Sequence, residues 1–305
     1  MPAIAANGIK IEYDETGPKD GPVILLVMGL AAQMTLWPPA MLKAFADAGF
    51  RVVRFDNRDI GLTEKLHGRR VINPLFQLAA KAVGVSNFAP YTLHTMVADA
   101  VGLLDALKIE HAHVVGASMG GMIGQLLAAT HPSRVLSLTS IMSGTNNPRL
   151  PRPRRETLSL LMAGGPRGGS KDEIVDRMIK VWNVIGTPES GADRAEFRKT
   201  LEAAVARSYY PAGVRRQLAA IIATGDLRPY IRKIIAPTLV IHGSKDPLAL
   251  VEAGIVSARN IPGARLEIID GMAHDLPAKF LPRINELIIG HVRSAQATAA
   301  RSVAA

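Results

Sequence analysis

A serine between glycines is the residue of this chain best placed to act chemically. The pentapeptide GASMG, centred on Ser118, follows a short apolar run, and apolar residues at helical spacing follow it as far as Pro132. Glycines on both sides permit a turn too tight for residues that carry a Cβ atom, so the hydroxyl can be exposed between a strand and a helix. This favours a nucleophile; the alternative is a glycine-rich turn whose serine only caps the next helix.

A nucleophilic serine needs a base and an acid that orients the base. In TLVIHGSKDPL, Asp246 comes just after a predicted buried strand, and in LEIIDGMAHDLP, His274 comes just after the next one. The order Ser118, Asp246, His274 is the one expected when all three lie at the carboxyl edge of a parallel sheet. Asp275 is a poorer acid because it would have to reach back to its neighbour's ring, and Asp270 lies too close to the end of its strand.

The other histidines have weaker claims to chemistry. His111 and His113 have a spacing compatible with metal ligands, but no carboxylate or thiol clusters near them in the sequence, so no metal site is predicted. His242 lies at the end of a predicted buried strand and is interpreted as a hydrogen-bonded core residue.

Short runs rich in β-branched residues alternate with helical patterns along most of the chain. A segment that alternates apolar and polar residues after Asn7-Gly8 predicts an N-terminal hairpin. The further predicted strands are 22–29, 51–56, 111–115, 135–142, 236–243 and 264–270, and the predicted helices are 37–48, 93–107, the segment after Ser118, 250–259 and 278–293. Regular alternation of this kind indicates an α/β fold with a mostly parallel, doubly wound sheet.

The strand pattern is interrupted by a long helical insertion. Residues 144–232 carry helical periodicity broken by Gly and Pro, which predicts a helical cap between a first core segment, 1–143, and a second, 233–294. Residues 295–305 have little apolar bulk and are expected to be a disordered tail. The segment 68–91 is long for a simple connection, and a lid and an ordinary surface helix are both open interpretations.

Apolar residues of the cap have two possible roles. Some are expected to form an apolar roof over Ser118, while the alternative is that they pack only among the cap's own helices. The residues in question are Leu158, Leu160, Leu161, Met162, Ile179, Val181, Trp182 and Ile185. Trp37 and Trp182 are candidates for a pocket wall, with aromatic core packing as the alternative.

Composition narrows the class of protein. The 305 residues are 48% hydrophobic, include no cysteine, and contain no apolar run long enough to span a membrane and no N-terminal signal pattern, so a globular cytoplasmic protein is expected. The net charge of +10 is spread along the chain apart from NPRLPRPRRET. Because no basic helix interleaved with aromatic residues occurs, nucleic acid is not an expected partner.

Five stretches together resemble the α/β-hydrolase family, and within it the bacterial methylesterase-like enzymes. They are LLVMGLAAQMTLWP, VVRFDNRDIGLTEK, HVVGASMGG, PTLVIHGSKDPL and IDGMAHDLP. The resemblance implies that Ser118 is the nucleophile, His274 the general base and then acid, and Asp246 the residue that orients the imidazole. It also implies that the backbone N–H groups of Leu30 and Met119 form an oxyanion hole, and that no cofactor is needed.

The chain departs from the common family pattern at two places. Met28-Gly29 replaces the frequent His-Gly, which leaves a backbone oxyanion donor intact but changes the hydrogen bonding expected of the loop. Asp59 and Thr63 are unusual within DNRDIGLTEK, where Asp56 and Arg58 are interpreted as structural.

The combined prediction is a serine carboxylesterase that acts on a small-molecule substrate. Neutral esters with small to medium acyl groups, and methyl esters of larger acids, suit an apolar pocket best. A C–C bond hydrolase and a cofactor-free perhydrolase use the same triad and stay open. A ligand-binding protein that kept the fold without the activity is a third alternative.

Overall fold

One eight-stranded sheet runs through the molecule in the computed structural model, which describes residues 1–69, 71, 76, 89–162, 169–188 and 191–304. The strands are β1 (Ala3–Ala6), β2 (Ile9–Thr16), β3 (Val23–Val27), β4 (Arg51–Phe55), β5 (Ala112–Ala117), β6 (Val135–Ile141), β7 (Thr238–Gly243) and β8 (Arg265–Ile269). Their spatial order is β1-β2-β4-β3-β5-β6-β7-β8; β1 and β2 pair antiparallel, β2 is antiparallel to β4, and the remaining pairs are parallel. The predicted α/β sheet is confirmed.

Helices cover both faces of this sheet. They are α1 (Pro39–Asp47), α2 (Leu93–Ala106), α3 (Met119–Thr130), α4 (Arg155–Met162), α5 (Lys171–Ile185), α6 (Gly191–Arg207), α7 (Pro211–Thr224), α8 (Arg228–Ile231), α9 (Val251–Asn260) and α10 (Leu281–Ala304). On one face, α2 and α3 pack against β3 and β5 in an apolar core, while α1 and α10 build a second core on the other face. Because β5 lies between the two cores, all six of its residues are buried.

The helices α4 to α8 follow β6 and precede β7, and we keep the name cap for these helices and the loops between them. Within the described part of residues 144–232, no strand interrupts them.

Buried polar contacts join α6 and α7 to the loop after β4. Arg207 donates a hydrogen bond to Asp56 at 2.6 Å, and Arg216 pairs with Asp59 at 2.7 Å. Most of the segment 68–91, for which a lid was one interpretation, lies outside the described residues.

The C-terminal segment differs from the expected disordered tail. The helix α10 continues through Ala304, and Ala295 is buried. Alanine has the highest intrinsic helix propensity, so an alanine-rich segment extends a helix that is already anchored by packing, even where it has little apolar bulk of its own. Among the described helices, none combines the length and apolar character that crossing a membrane requires.

Removal of the Asp59 carboxylate should destabilise the fold strongly. Asp59 and Arg216 are both almost completely buried, so an Asp59→Ala variant leaves a guanidinium unpaired in the interior. We expect a loss of about 3 to 5 kcal/mol in the free energy of unfolding, measured by urea denaturation. The control is Asp47→Ala, which removes an exposed pair with Lys43 and should cost about 0.5 kcal/mol or less. Equal losses in the two variants would contradict the structural role of the Asp59 pair.

Candidate active site

Ser118 occupies a sharp turn between β5 and α3. Its backbone has φ 54° and ψ −120°, an unfavourable conformation for a residue with a side chain. The turn closes so tightly that a Cβ atom on Gly116 would lie 2.2 Å from the carbonyl oxygen of Gly120. The glycines of GASMG are therefore required by backbone contact, and the strained geometry presents the serine hydroxyl at the carboxyl edge of the sheet.

The structure brings the three predicted residues together. Ser118 Oγ lies 3.0 Å from His274 Nε2, and His274 Nδ1 lies 2.7 Å from Asp246 Oδ2. His274 is 5% exposed and Asp246 is 4% exposed, so the hydrogen bond between them is buried, whereas the one to Ser118 is partly buried at the floor of the site. This is the geometry in which an imidazole can remove the serine proton while a carboxylate stabilises the charge that forms on the ring.

The surroundings of Asp246 keep its carboxyl group ionised. Burial alone would raise its pKa, but the charge of His274 and hydrogen bonds from His242 and His274 outweigh burial and hold the pKa below its usual range. The second oxygen, Oδ1, accepts hydrogen bonds from the backbone N–H groups of Leu248 and Ala249 at 2.9 and 2.8 Å. The carboxylate is thereby fixed in orientation as well as in charge.

His242 has a contact that its position in the sequence did not predict. It is buried in the core as expected, and its Nε2 lies 2.6 Å from the carbonyl oxygen of Ala249. The same nitrogen is 3.5 Å from Asp246 Oδ2. His242 therefore joins the hydrogen-bonded surroundings of the acid.

Asp275 is engaged with the cap and not with the neighbouring ring. Its two carboxylate oxygens accept hydrogen bonds from the N–H and the hydroxyl of Thr187 at 2.8 and 2.6 Å. The Thr187 hydroxyl also accepts a hydrogen bond from the N–H of Ala273, and the N–H of His274 donates to the carbonyl of Ile185 at 2.9 Å. These four hydrogen bonds tie the end of α5 to the loop that carries His274, and we call them the α5 strap.

The two predicted oxyanion donors lie beside Ser118. Met119 is the first residue of α3, so its N–H has no partner within the helix and points out of the N-terminal end of the helix. A Cβ atom on Gly29 would be 3.1 Å from Ser118 Cβ, which shows how closely the loop with Leu30 approaches the serine. Leu30 and Met119 both line the same cavity as Ser118.

Two amide side chains hold the loop after β3, where Met28-Gly29 replaces the common His-Gly. Asn57 Nδ2 donates to the carbonyl oxygen of Met28 at 2.8 Å, and Gln217 Oε1 accepts from the N–H of Ala31 at 3.1 Å. Gln217 is on α7 of the cap and also donates to the carbonyl of Arg58. The loop is therefore held by the core on one side and by the cap on the other.

A largely apolar cavity of about 560 Å³ opens above Ser118. The core contributes Leu30, Met119, Met122 and Met142, and α5 contributes Ile174, Met178, Val181, Trp182 and Ile185. Of the predicted roof residues, Val181, Trp182 and Ile185 line this cavity, whereas Ile179 lines an adjoining cavity of about 620 Å³. The side chains of Leu158, Leu160, Leu161 and Met162 lie outside the described residues.

The remaining candidate residues lie away from the cavity. Burial lowers the pKa of His113 to about 4, and its Nδ1 is hydrogen-bonded to Ser137 Oγ at 2.8 Å. Trp37 is fully buried in the core on the α1 face; it does not line the cavity above Ser118, but it borders the adjoining cavity. Across the described ranges, no three His, Asp or Glu side chains are grouped closely enough to hold a metal ion.

Comparison with known proteins identifies the family. The sequence model of the family described as having the α/β-hydrolase fold matches residues 22–278. The chain belongs to the α/β-hydrolase fold family. This α/β hydrolase is 28% identical to the rhodomycin D methylesterase of a Streptomyces species (strain C5), with 91% of this chain and 93% of that protein aligned. It is 26% identical to the 2-hydroxy-6-oxononadienedioate/2-hydroxy-6-oxononatrienedioate hydrolase of Burkholderia vietnamiensis, over 93% and 91% of the two chains.

Solved structures agree with this α/β-hydrolase assignment. The enol-lactonase from Burkholderia xenovorans superimposes with a TM-score of 0.74 at 24% identity, and the match covers 96% of this chain and all of that one. The resemblance to the α/β-hydrolase family and to its methylesterase-like members, predicted from five stretches of sequence, is confirmed.

Several residues that support the site of this α/β hydrolase were missed in the sequence. Asn57, Gln217 and Thr187 are separated from the residues they contact by 29, 186 and 88 positions, respectively. One signal was available for Gln217: it lies at helical spacing from the small residues Gly213 and Ala220, and a polar residue on such a buried helix face needs a hydrogen-bond partner.

Proposed function

We propose that this α/β hydrolase is a serine carboxylesterase that cleaves neutral esters with small to medium acyl groups, or methyl esters of larger acids. The observation that carries the proposal is the hydrogen-bonded chain Ser118, His274, Asp246 at the floor of a mainly apolar cavity. The similarity to a rhodomycin D methylesterase over most of both chains supports an ester as the substrate.

The reaction proceeds through an acyl-enzyme. Ser118 Oγ attacks the ester carbonyl while His274 Nε2 takes its proton, and the negative oxygen of the tetrahedral intermediate accepts hydrogen bonds from the N–H groups of Leu30 and Met119. His274 then donates the proton to the departing alcohol. In the second half, His274 removes a proton from water as the water attacks the acyl-enzyme; the second tetrahedral intermediate then collapses, the acid leaves, and His274 returns the proton to Ser118 Oγ. Asp246 stabilises the imidazolium in both halves.

Covalent labelling tests the role of Ser118 directly. A fluorophosphonate reacts with a serine only when that serine is activated as a nucleophile, so the wild-type chain should be labelled and Ser118→Ala should not. Ser133→Ala is the matched control, because Ser133 is exposed and lies beyond the far end of α3, away from the three site residues. Equal labelling of wild type and Ser118→Ala would overturn the proposal, and a ligand-binding protein without activity would not be labelled at all.

The apolar cavity predicts the substrate class. We expect hydrolysis of p-nitrophenyl esters to be fastest for short to medium acyl chains, with negligible release of amino acids from peptides, because no carboxylate among the described lining residues is available to hold a peptide amine. The measurement is kcat/KM over a series of acyl lengths beside a peptide panel. Efficient peptide cleavage with little action on any ester would contradict this substrate class.

A C–C bond hydrolase is the second candidate function. It is favoured by the similarity to a 2-hydroxy-6-oxononadienedioate/2-hydroxy-6-oxononatrienedioate hydrolase over nearly the whole chain. An assay that offers a vinylogous 1,5-diketone beside p-nitrophenyl butyrate distinguishes the two, since a carboxylesterase should act far more rapidly on the second.

A further inference from the structure

One charged residue interrupts the apolar side of α5 that faces the cavity. Six residues of this helix line the cavity at the spacing of a single helix face: Ile174, Arg177, Met178, Val181, Trp182 and Ile185. Five of them are apolar. Arg177 therefore takes a position where the pattern of the helix favours an apolar side chain, and it places a guanidinium at the exposed mouth of the cavity.

The carboxylates nearest to Arg177 in the helix are engaged elsewhere. Glu173, one turn earlier, accepts a hydrogen bond from the N–H of Ser170 at 2.8 Å, and the adjacent Asp176 pairs with Arg198 at 2.7 Å. In the described part of the chain, Arg177 has neither an ion pair nor a hydrogen bond, and no Asp or Glu lines the cavity. The cationic group has no anionic partner of its own at this site.

Tyr209 lies on the cavity wall near Arg177. Burial raises the pKa of the Tyr209 phenol, and the positive charge of Arg177 opposes that rise, so the two groups are within electrostatic reach of each other. The planar guanidinium of Arg177, at the mouth of the apolar cavity, presents several hydrogen-bond donors in an arrangement that matches a carboxylate.

We infer that Arg177 forms an anion subsite that selects esters carrying a carboxylate at the end remote from the scissile bond. This inference rests on the proposed esterase activity, and it extends the substrate class from neutral esters to esters whose single charge lies far from the scissile bond. The uncharged ester and the carbon chain occupy the apolar part of the cavity near Ser118, while the distal carboxylate stays at the wet mouth and binds the guanidinium. The charge of the substrate is thereby kept out of the apolar interior, where burial would be costly.

Paired esters of dicarboxylic acids test the subsite. The monomethyl and dimethyl esters of glutarate, adipate, pimelate and suberate differ within each pair only in the distal group, and the series varies its distance from the ester. We expect the wild type to prefer the monomethyl ester for at least one chain length. Arg177→Gln should raise KM for that ester about 10-fold with little change in kcat, and should leave the dimethyl ester unaffected.

Two further variants separate recognition from a general effect of charge. Arg177→Lys keeps the charge without the planar donors and should retain part of the preference. Lys180→Gln is the matched control, because Lys180 is on the same helix, is exposed and does not line the cavity; it should behave as wild type. If the wild type hydrolyses these esters, equal losses for both members of a pair in Arg177→Gln, or no preference at any chain length, would overturn the inference and leave the esterase proposal standing.

A binding measurement distinguishes this failure from failure of the proposed function. Calorimetric titration of Ser118→Ala with each of the four monomethyl esters requires no turnover. Binding that is lost in Ser118→Ala/Arg177→Gln supports the subsite even if the wild type hydrolyses none of the esters, in which case the esterase proposal alone is wrong. Equal binding by the two variants overturns the subsite.

Discussion

Alanine in place of Ser118 or His274 should lower kcat by about 10⁴-fold or more, and the variant lacking both should be scarcely slower than either single variant. The reason is that the two side chains perform one step together. Without the hydroxyl there is no nucleophile, and without the ring 3.0 Å away the hydroxyl keeps its proton.

The measurement is steady-state hydrolysis of a p-nitrophenyl ester by the four proteins, with circular dichroism to show that each is folded. Residual turnover from the oxyanion donors and from substrate binding is expected in all three variants. Losses that add in the double variant would mean that Ser118 and His274 act independently, which contradicts the proposed mechanism.

Asp246→Asn should lose about 10⁴-fold in kcat while folding normally. The amide is nearly isosteric with the carboxylate, so the contacts with Leu248 and Ala249 can persist. It carries no charge to stabilise the imidazolium, and it can present an N–H to His274 Nδ1, which favours the wrong tautomer of the ring.

Asp275→Asn is the matched comparison, because it makes the same change from carboxylate to amide in the acidic residue that follows His274. Its carboxylate binds Thr187 and does not contact the imidazole, so we expect a much smaller loss of kcat than in Asp246→Asn. If the larger loss were found in Asp275→Asn, the assignment of the acid to Asp246 would be wrong.

Local sequence was sufficient to predict the sheet and the positions of Ser118, Asp246 and His274. Ser118 directly follows β5, whereas Asp246 and His274 lie in the loops after β7 and β8; β5 and β7 are buried as predicted, but the edge strand β8 is only partly buried. Because parallel strands end at a common edge, a correct list of strands already implies that the three loops meet. The GASMG turn adds a backbone requirement that few other segments satisfy.

Contacts between the cap and the core could not be predicted in the same way. The hydrogen bond from Ala31 to Gln217, the Asp59 pair with Arg216 and the α5 strap all depend on how α5 to α7 dock on the sheet. Helical periodicity shows which face of a helix is apolar. It does not determine how the helix is rotated about its axis, or shifted along it, when it packs against another element. The end of α10 is helical although its sequence has little apolar bulk, because low apolar bulk alone does not predict disorder where alanine favours continuation of a helix.

The α5 strap limits how the cap can be exchanged. A designer who grafts a different cap onto this sheet to obtain a new selectivity also replaces the carbonyl of Ile185 and the hydroxyl of Thr187, and with them the external supports of the loop that carries His274. Such a chimaera should lose turnover on every substrate, including those that its new pocket fits. A graft that leaves residues 185–187 in place and begins its new sequence after them keeps His274 in its position. The part of the cap that can be exchanged is therefore smaller than the inserted segment.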